Sequence, residues 1–448
     1  MKRQHKRGIR IQNRIIISAL LLGIQLVFLF ASLYDVSLGS ARSLALSSIF
    51  GAVTVIFILN KRGNPDHKVG WIIFILIFPI FGISVYLLWG GGRVLPHLKK
   101  RMRICESHYI HYLKEDKKAT DHMEYFDLSH SRQADYLTRE SGFPLYDNTS
   151  AEYLPSGERF FSRLLEELEN AKKYIYLEFF IIAEGYMWDS IFKILKQKAA
   201  DGVEIKIIFD DFGSIKRQHR DFLSKLKSAG IEVSVFNPIY PLFNNFLNNR
   251  SHRKIVVIDG TLAMTGGVNI GDEYINREKR FGHWMDSAVI IKGNAVKSFL
   301  CMFLTMWEFI TGKRLDFKSH IAESQVIDDG FALPYSDGPL NDRNPAEGLY
   351  MQILNSAQKY VYIMTPYLVI DNMMTAALCL AAKAGIEAFR NFLCSIGMPK
   401  NFEELGAKEE DIEHMAHSAC YGNGNTGYVG GFVPLGQKDV EAIYRLML

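Results

Sequence analysis

His252, Lys254 and Asp259 stand as H-x-K-x4-D in the run HRKIVVID, and Gly266, Gly267 and Asn269 follow within ten residues of Asp259. These residue types suit attack on a phosphodiester. A neutral imidazole can add to phosphorus, while a lysine ammonium and an asparagine amide donate hydrogen bonds to the non-bridging oxygens, where negative charge builds up. A covalent phosphohistidine divides one difficult substitution into two easier ones. With the protein's own cation carrying that charge, neither a metal nor a cofactor is expected. A lone histidine on a strand is more often structural than reactive, so the specific feature is the full spacing with Gly-Gly-x-Asn behind it.

The elements that must position these residues are legible nearby. KIVVID is apolar and β-branched, which predicts a strand, and residues two apart on a strand share a face, so His252 and Lys254 aim at one point. Asp259-Gly260 predicts a tight hairpin turn into a second strand, TLAMTGG, which folds Asn269 back beside the pair. The glycines permit close approach of backbone to a bound group. Upstream, FSRLLEELENAKK (161–173), WDSIFKILKQKAADG (188–202) and RDFLSKLKSAG (220–230) predict helices. They alternate with the strand-like runs YIYLEFFII (174–182), VEIKIIFDD (203–211) and IEVSVFN (231–237). Continuous apolar strands between helices predict an α/β fold with a mostly parallel sheet covered on both faces.

The 448-residue chain balances 52 basic against 48 acidic residues, so its totals indicate neither a nucleic-acid arm nor an acidic tail. Its five cysteines (Cys105, Cys301, Cys379, Cys394, Cys420) are scattered without a C-x-x-C, which fits reduced thiols and argues against a zinc cluster. The first hundred residues differ from the rest. Ile15 to Tyr34, Leu44 to Asn60 and Val69 to Trp89 are uncharged runs of 20, 17 and 21 residues, near the length that spans a bilayer. Six Lys/Arg precede the first run and three lie in KRGNPDHK (61–68), which predicts a cytoplasmic amino terminus and a cytoplasmic 61–68 loop. Pro79 inside the third run leaves open a re-entrant segment, returning the chain to the cytoplasmic face, or a true third span. A multi-pass cell-membrane protein with its catalytic domain facing the cytoplasm is the expectation. PLFNNFLNNR (241–250) either touches lipid or forms a buried loop.

AKKYIYLEFF (171–180) and AQKYVYIMTP (357–366) both place Lys-Tyr-aliphatic-Tyr at a strand start, and each is followed by a helix ending in Lys-Ala before Gly202 or Gly385. Self-similarity at that long period implies a duplicated unit, with a strand expected near 360–366.

HRKIVVID followed by GGVNIGDEY resembles the HKD signature of the phospholipase D superfamily. PDHKVGWIIFILIFPIFGISVYLLWG, YIYLEFFIIAEGYMWDSIFKILKQKAADGVEIKIIFDDFGS and HWMDSAVIIKG widen that likeness to bacterial cardiolipin synthases, from about residue 10 to 385. The resemblance implies a mixed sheet flanked by helices and transfer of a phosphatidyl group from one phosphatidylglycerol to the glycerol hydroxyl of another. It also implies His252 as nucleophile, with Lys254, Asn269 and the Gly267 backbone at the phosphate. Within the catalytic motif Asp259 would be structural, bracing the strand-turn. Asp286 is a candidate to orient the ring, and Glu178 a weaker supporting candidate or a structural ion-pair partner.

Members of that family carry two HKD motifs, and the second should fall near residue 438. After Gly385 only His414 and His417 remain, neither with Lys two places on. IEAFRNFLCSIGMPKNFEELGAKEEDIEHMA with FVPLGQKDVEAIYRLML resembles the carboxy-terminal helices of iron-containing alcohol dehydrogenases, without their nucleotide- or metal-binding portion. The domain expectation is a membrane anchor (1–95), a linker (96–150), a first phospholipase D-like half (151–325), a partial second half (326–385) and a fused helical tail (386–448). A homodimer can place two single motifs face to face. The competing expectations are a dimeric phosphodiesterase acting on nucleic acid, against which the hydrophobic runs count, and an inactive membrane-bound remnant.

Overall fold

A computed structural model describes residues 23, 38–61, 65–86, 96–113, 117–215, 217–238, 250–280, 282–323, 326, 330–338, 340, 341, 344–365, 367, 370–395, 406, 408–421, 427 and 435–445. The first hydrophobic run (15–34) apart from Gly23, and all of 241–250 except Arg250, lie outside them. The chain divides into two units, Met1–Pro345 and Ala346–Leu448.

In the first unit the second hydrophobic run lies in helix α1 (Leu38–Asn60), and the third is broken into α2 (Pro65–Ile77) and α3 (Pro79–Val85). Pro79 at the first position of α3 sets the break at Phe78, because a proline cannot continue a helix from its preceding turn. Ile58, Ile75 and Tyr86 are buried between these helices. Phe50, Phe57, Ile73 and Leu76 stay exposed. Among the described residues no helix is long and apolar enough to cross a membrane.

Residues 96–150 are no linker. They form α4 (Pro96–Ser107), α5 (Lys117–Phe126) and α6 (Leu128–Ser141), and Met102, Tyr109, Leu113 and Phe143 are buried in the same core as the sheet. The apolar residues of the expected linker are therefore packing residues.

The centre is a seven-stranded sheet in the order β1-β7-β6-β5-β2-β3-β4. Its strands are β1 (Thr149–Leu154), β2 (Tyr174–Phe179), β3 (Glu204–Asp210), β4 (Glu232–Phe236), β5 (Ile255–Ile258), β6 (Leu262–Gly266) and β7 (Ala288–Gly293). The β2–β3 and β3–β4 pairs are parallel. The other four pairings are antiparallel, so the sheet is mixed rather than mostly parallel. The parallel half is the part built from helix-connected strands, and the hairpin at Asp259-Gly260 starts the antiparallel half.

Alternate residues of each strand feed two cores. Ile175, Leu177 and Phe179 join Val256 and Ile258 under α7 (Gly157–Asn170) and α8 (Tyr186–Ala200). Tyr174 and Tyr176 join Ile255 and Val257 on the opposite face. In α7 the spacing Phe160, Leu164, Leu168 buries one stripe, and Ser156 caps its start by accepting the Arg159 N–H at 3.2 Å. The opposite face is covered by α10 (Val296–Thr311), with the short α9 (Phe222–Ser228) preceding it in the chain. Twelve of the sixteen residues of α10 are buried, as a helix apolar on nearly all sides requires. The core extends beyond residue 325, since Ala332 pairs with Tyr146 by backbone bonds of 2.9 Å in each direction.

Strand direction gathers the chemistry at one end of the sheet. β5 runs antiparallel to both β2 and β6, and β7 runs antiparallel to β6. The carboxyl ends of β2, β3, β4 and β6 therefore meet the amino ends of β5 and β7. Open α/β sheets bind ligands at that kind of edge.

The second unit contains α11 (Pro345–Ser356), α12 (Asn372–Ser395), α13 (Ile412–Tyr421) and α14 (Gln437–Arg445), with Ala416, Cys420 and Val440 buried between the last two. The strand expected at 360–366 does not form. Tyr360, Tyr362, Met364 and Tyr367 are exposed, at 69%, 87%, 88% and 68%. A strand sequence becomes a strand only when neighbours take up its backbone hydrogen bonds, and all seven strands of the sheet come from residues 149–293.

Candidate active site

Lys254 is buried, 5% exposed, at the amino end of β5, while His252 stays open to solvent. The Lys254 Nζ donates to the His252 carbonyl at 2.7 Å and lies 3.2 Å and 3.3 Å from the two ring nitrogens. His252 is exposed as a residue but the inner side of its ring is shielded, and this partial burial together with the neighbouring Lys254 charge lowers its pKa from 6.5 to about 4. The ring is consequently neutral, with a lone pair available, at physiological pH. Burial also lowers Lys254 to about 8, against the opposing pull of Asp286. The Phe180 ring packs on the His252 ring at 4.9 Å between centroids.

The residues around this pair are fixed by two buried carboxylates that project from neighbouring strand ends. Glu178, 1% exposed on β2, holds the Arg253 guanidinium through both oxygens at 3.0 Å and accepts the Ser251 hydroxyl at 2.8 Å. Asp210, fully buried at the end of β3, accepts the Ser251 N–H at 3.1 Å and pairs with Arg250 at 3.3 Å. The chain on both sides of His252 is thereby tied to β2 and β3. Glu178 has the ion-pair role that was one of its two sequence readings. Asp210, Arg250, Ser251 and Arg253 carried no such signal, since only the fold brings partners 40 to 75 positions apart together.

Asp259 sits at the far end of β5, five residues from Lys254, roughly 16 Å away at ~3.3 Å per residue. Its carboxylate accepts the N–H groups of Lys172 and Lys173 at 2.7 Å and of Tyr174 at 2.8 Å, which braces the start of β2. Asp259 and Gly260 have φ of 54° and 71°, and the Thr261 N–H returns to the Ile258 carbonyl at 3.1 Å. That is the left-handed two-residue turn Asp-Gly favours.

Asn269 is 2% exposed, and its amide serves the fold: Oδ1 accepts the Ile181 N–H at 3.0 Å and Nδ2 donates to the Tyr274 hydroxyl at 2.9 Å. Gly267 is required by Asp286, because a Cβ there would stand 1.8 Å from the Asp286 Oδ1. Asp286 accepts the Ser287 N–H at 3.0 Å and the Trp284 indole at 3.4 Å, and its charge acts on Lys254. Together these placements define a phospholipase D-like half built around one HKD motif.

Residues 164–307 match the family model described as cardiolipin synthase, PLD-like domain, and residues 47–91 match the phospholipase D-nuclease N-terminal model. A cardiolipin synthase of Geobacillus sp. (strain WCH70) is 32% identical over 355 residues, covering 78% of this chain and 70% of that protein. An uncharacterized protein of Streptococcus mutans serotype c is 38% identical over 347 residues, covering 75% and 73%. A probable cardiolipin synthase of Bacillus subtilis is 30% identical, covering 77% and 68%. The chain belongs to the cardiolipin synthase family, whose members are phosphatidyltransferase enzymes. Among solved structures, phosphatidylserine synthase of Haemophilus influenzae aligns over 56% of this chain and 64% of that one at 14% identity, with a TM-score of 0.38, too loose a likeness to carry an argument.

Residues 354–448 match the C-terminal model of the Fe-containing alcohol dehydrogenase family. That match begins ahead of residue 386 and takes in the segment whose expected strand is missing. Among the described residues no group of three His, Cys, Asp or Glu side chains converges as a metal site.

Proposed function

We propose that the chain transfers a phosphatidyl group from phosphatidylglycerol, through a phosphohistidine on His252, to the glycerol hydroxyl of a second phosphatidylglycerol. The observation that carries this reading is the buried Lys254 ammonium set 3.2 Å from a neutral His252 ring. A ring nitrogen of His252 attacks phosphorus, the bond from phosphorus to the glycerol oxygen breaks, and glycerol leaves with a proton. In the second half, the incoming hydroxyl attacks phosphorus, loses its proton and frees the histidine. Lys254 stabilises the charge on the non-bridging oxygens. Thr265 and Gly266 border the phosphate, Asn269, expected there from the sequence, instead braces the wall through its bonds to Ile181 and Tyr274, and Asp286 holds the charge of Lys254.

The proton donor to glycerol is the part this chain does not supply from a second HKD motif. A second copy supplies it in this reading, its own His252 facing the first across a twofold axis, where the negative charge of the bound phosphate favours the protonated ring. Exposed Phe50, Phe57, Ile73 and Leu76 on α1 and α2 support placement at the membrane, where diacyl lipid substrates reside, and the hydrophobic run 15–34 supports an anchor.

The test is product formation in membranes carrying the full chain and labelled phosphatidylglycerol, wild type against His252→Ala. Labelled cardiolipin in wild type alone supports the reading, and equal product in both removes His252 as nucleophile. No product in either, with folded protein, favours an inactive remnant.

A further inference from the structure

His252 opens onto two cavities. One, of about 390 Å³, contains Lys254, Thr265 and Gly266 in its wall, the surroundings expected of a phosphate. The other, of about 650 Å³, runs away from the ring between α4, α10 and the end of β4, and Met302 and Arg253 are common to both. Interiors of folded domains are close-packed, so a void of that size beside a reactive side chain is a place for a ligand.

The larger cavity changes character along its length. Ser251, His252 and Arg253 form one end, while Met102, Phe236, Met302, Met306, Phe309 and Leu340 supply apolar walls. Asp337 stands at one border, and two of the three arginines there are paired locally. Arg253 is held by Glu178 and Arg250 by Asp210, both carboxylates buried. Arg101 lies over the Phe309 ring at 5.4 Å. Glu106 is pushed by burial toward its neutral form. Cations paired in this way leave the walls suited to an uncharged occupant, and three methionines give walls that adapt to a flexible one.

Resting on the phosphatidyl-transfer reading, we infer that this cavity receives an acyl chain of the phosphatidyl donor, so that the lipid phosphate is drawn to His252 with its tail between α4 and α10. The polar head then leaves through the smaller cavity. Donor selection thereby lies in α4 and α10, outside the HKD motif.

The test uses the full chain carrying His252→Ala, so that nothing turns over, in mixed micelles with a phosphatidylglycerol bearing a diazirine near the end of one acyl chain. After irradiation, adducts are expected on the peptides containing residues 98–106 and 302–310, and unlabelled phosphatidylglycerol should compete them away. Met306→Trp, which fills the cavity, should reduce those adducts at least fivefold. Met306→Leu, close to methionine in volume, should retain them and controls for folding. Adducts confined to α1–α3, or insensitive to Met306→Trp in protein that remains folded, overturn the inference. Cavity adducts without phosphohistidine in the wild-type chain sink the transfer reading and leave the lipid site standing. Phosphohistidine from a short-chain donor without cavity adducts does the reverse.

Discussion

The Lys254 Nζ lies 3.2 Å and 3.3 Å from the two ring nitrogens of His252, which makes the two ionisations of the site mutually dependent. The lysine charge helps keep the ring unprotonated, and the unprotonated ring leaves the buried ammonium uncontested by a second cation.

A bell-shaped pH dependence follows. The nucleophile is active when deprotonated, so rate is lost as pH falls through about 4, and Lys254 acts when charged, so rate is lost as pH rises through about 8. Lys254→Gln removes the nearby charge and should raise the His252 pKa part of the way back toward 6.5, since burial, the larger cause, persists. An NMR titration of the His252 ring reads this directly. The same variant should lose about two to three orders of magnitude in rate.

Buried Glu178 pairs with the partly buried Arg253 at 3.0 Å. Glu178→Leu should cost about 1–3 kcal/mol, because Arg253 and the Ser251 hydroxyl are left without their acceptor. The double variant Glu178→Leu/Arg253→Leu should be less destabilised than the single, measured by denaturant unfolding as a mutant cycle. Both should slow the chemistry by loosening the segment that bears His252.

Asp259→Ala leaves three backbone N–H groups without their acceptor. Each such loss is worth about 1 kcal/mol, so the variant should melt earlier, while the rate per folded molecule stays near wild type. A large fall in that rate at full stability would make Asp259 a member of the reactive set.

Gly267→Ala drives a methyl group into the Asp286 carboxylate. Destabilisation by about 1–3 kcal/mol is expected, with the alkaline limb moving below pH 8 as Lys254 loses its counter-charge. Adding Asp286→Ala should recover stability and leave the limb displaced.

Much of this architecture is legible in the sequence, and the exceptions have physical causes. β2 to β6 are continuous or alternating apolar runs bounded by helices and by the Asp259-Gly260 turn, so local pattern locates them. β1 escapes because TSAEYL is an edge strand whose interior is half polar, and β7 because its pairing with β1 and β6 is a long-range event. The same holds for the site. His252 and Lys254 share a motif, whereas the clamps at Glu178 and Asp210 depend on strand order. The expected second-repeat strand shows the converse, since Tyr360 and Tyr362 have strand-like spacing but stand exposed without sheet neighbours. Residues 96–150 look polar enough for a spacer, yet Tyr109 is 1% exposed.

Phosphatidyl transfer by this chain stands or falls on a phosphorus–nitrogen bond at His252. A phosphatidyl ester of p-nitrophenol, labelled at phosphorus, isolates that step because nitrophenolate leaves without a proton and so needs no second motif. Rapid quench of the full chain should give acid-labile label on the peptide bearing His252 and none in His252→Ala. Release of nitrophenol by folded wild-type protein without such label, or equal label in the alanine variant, would contradict it.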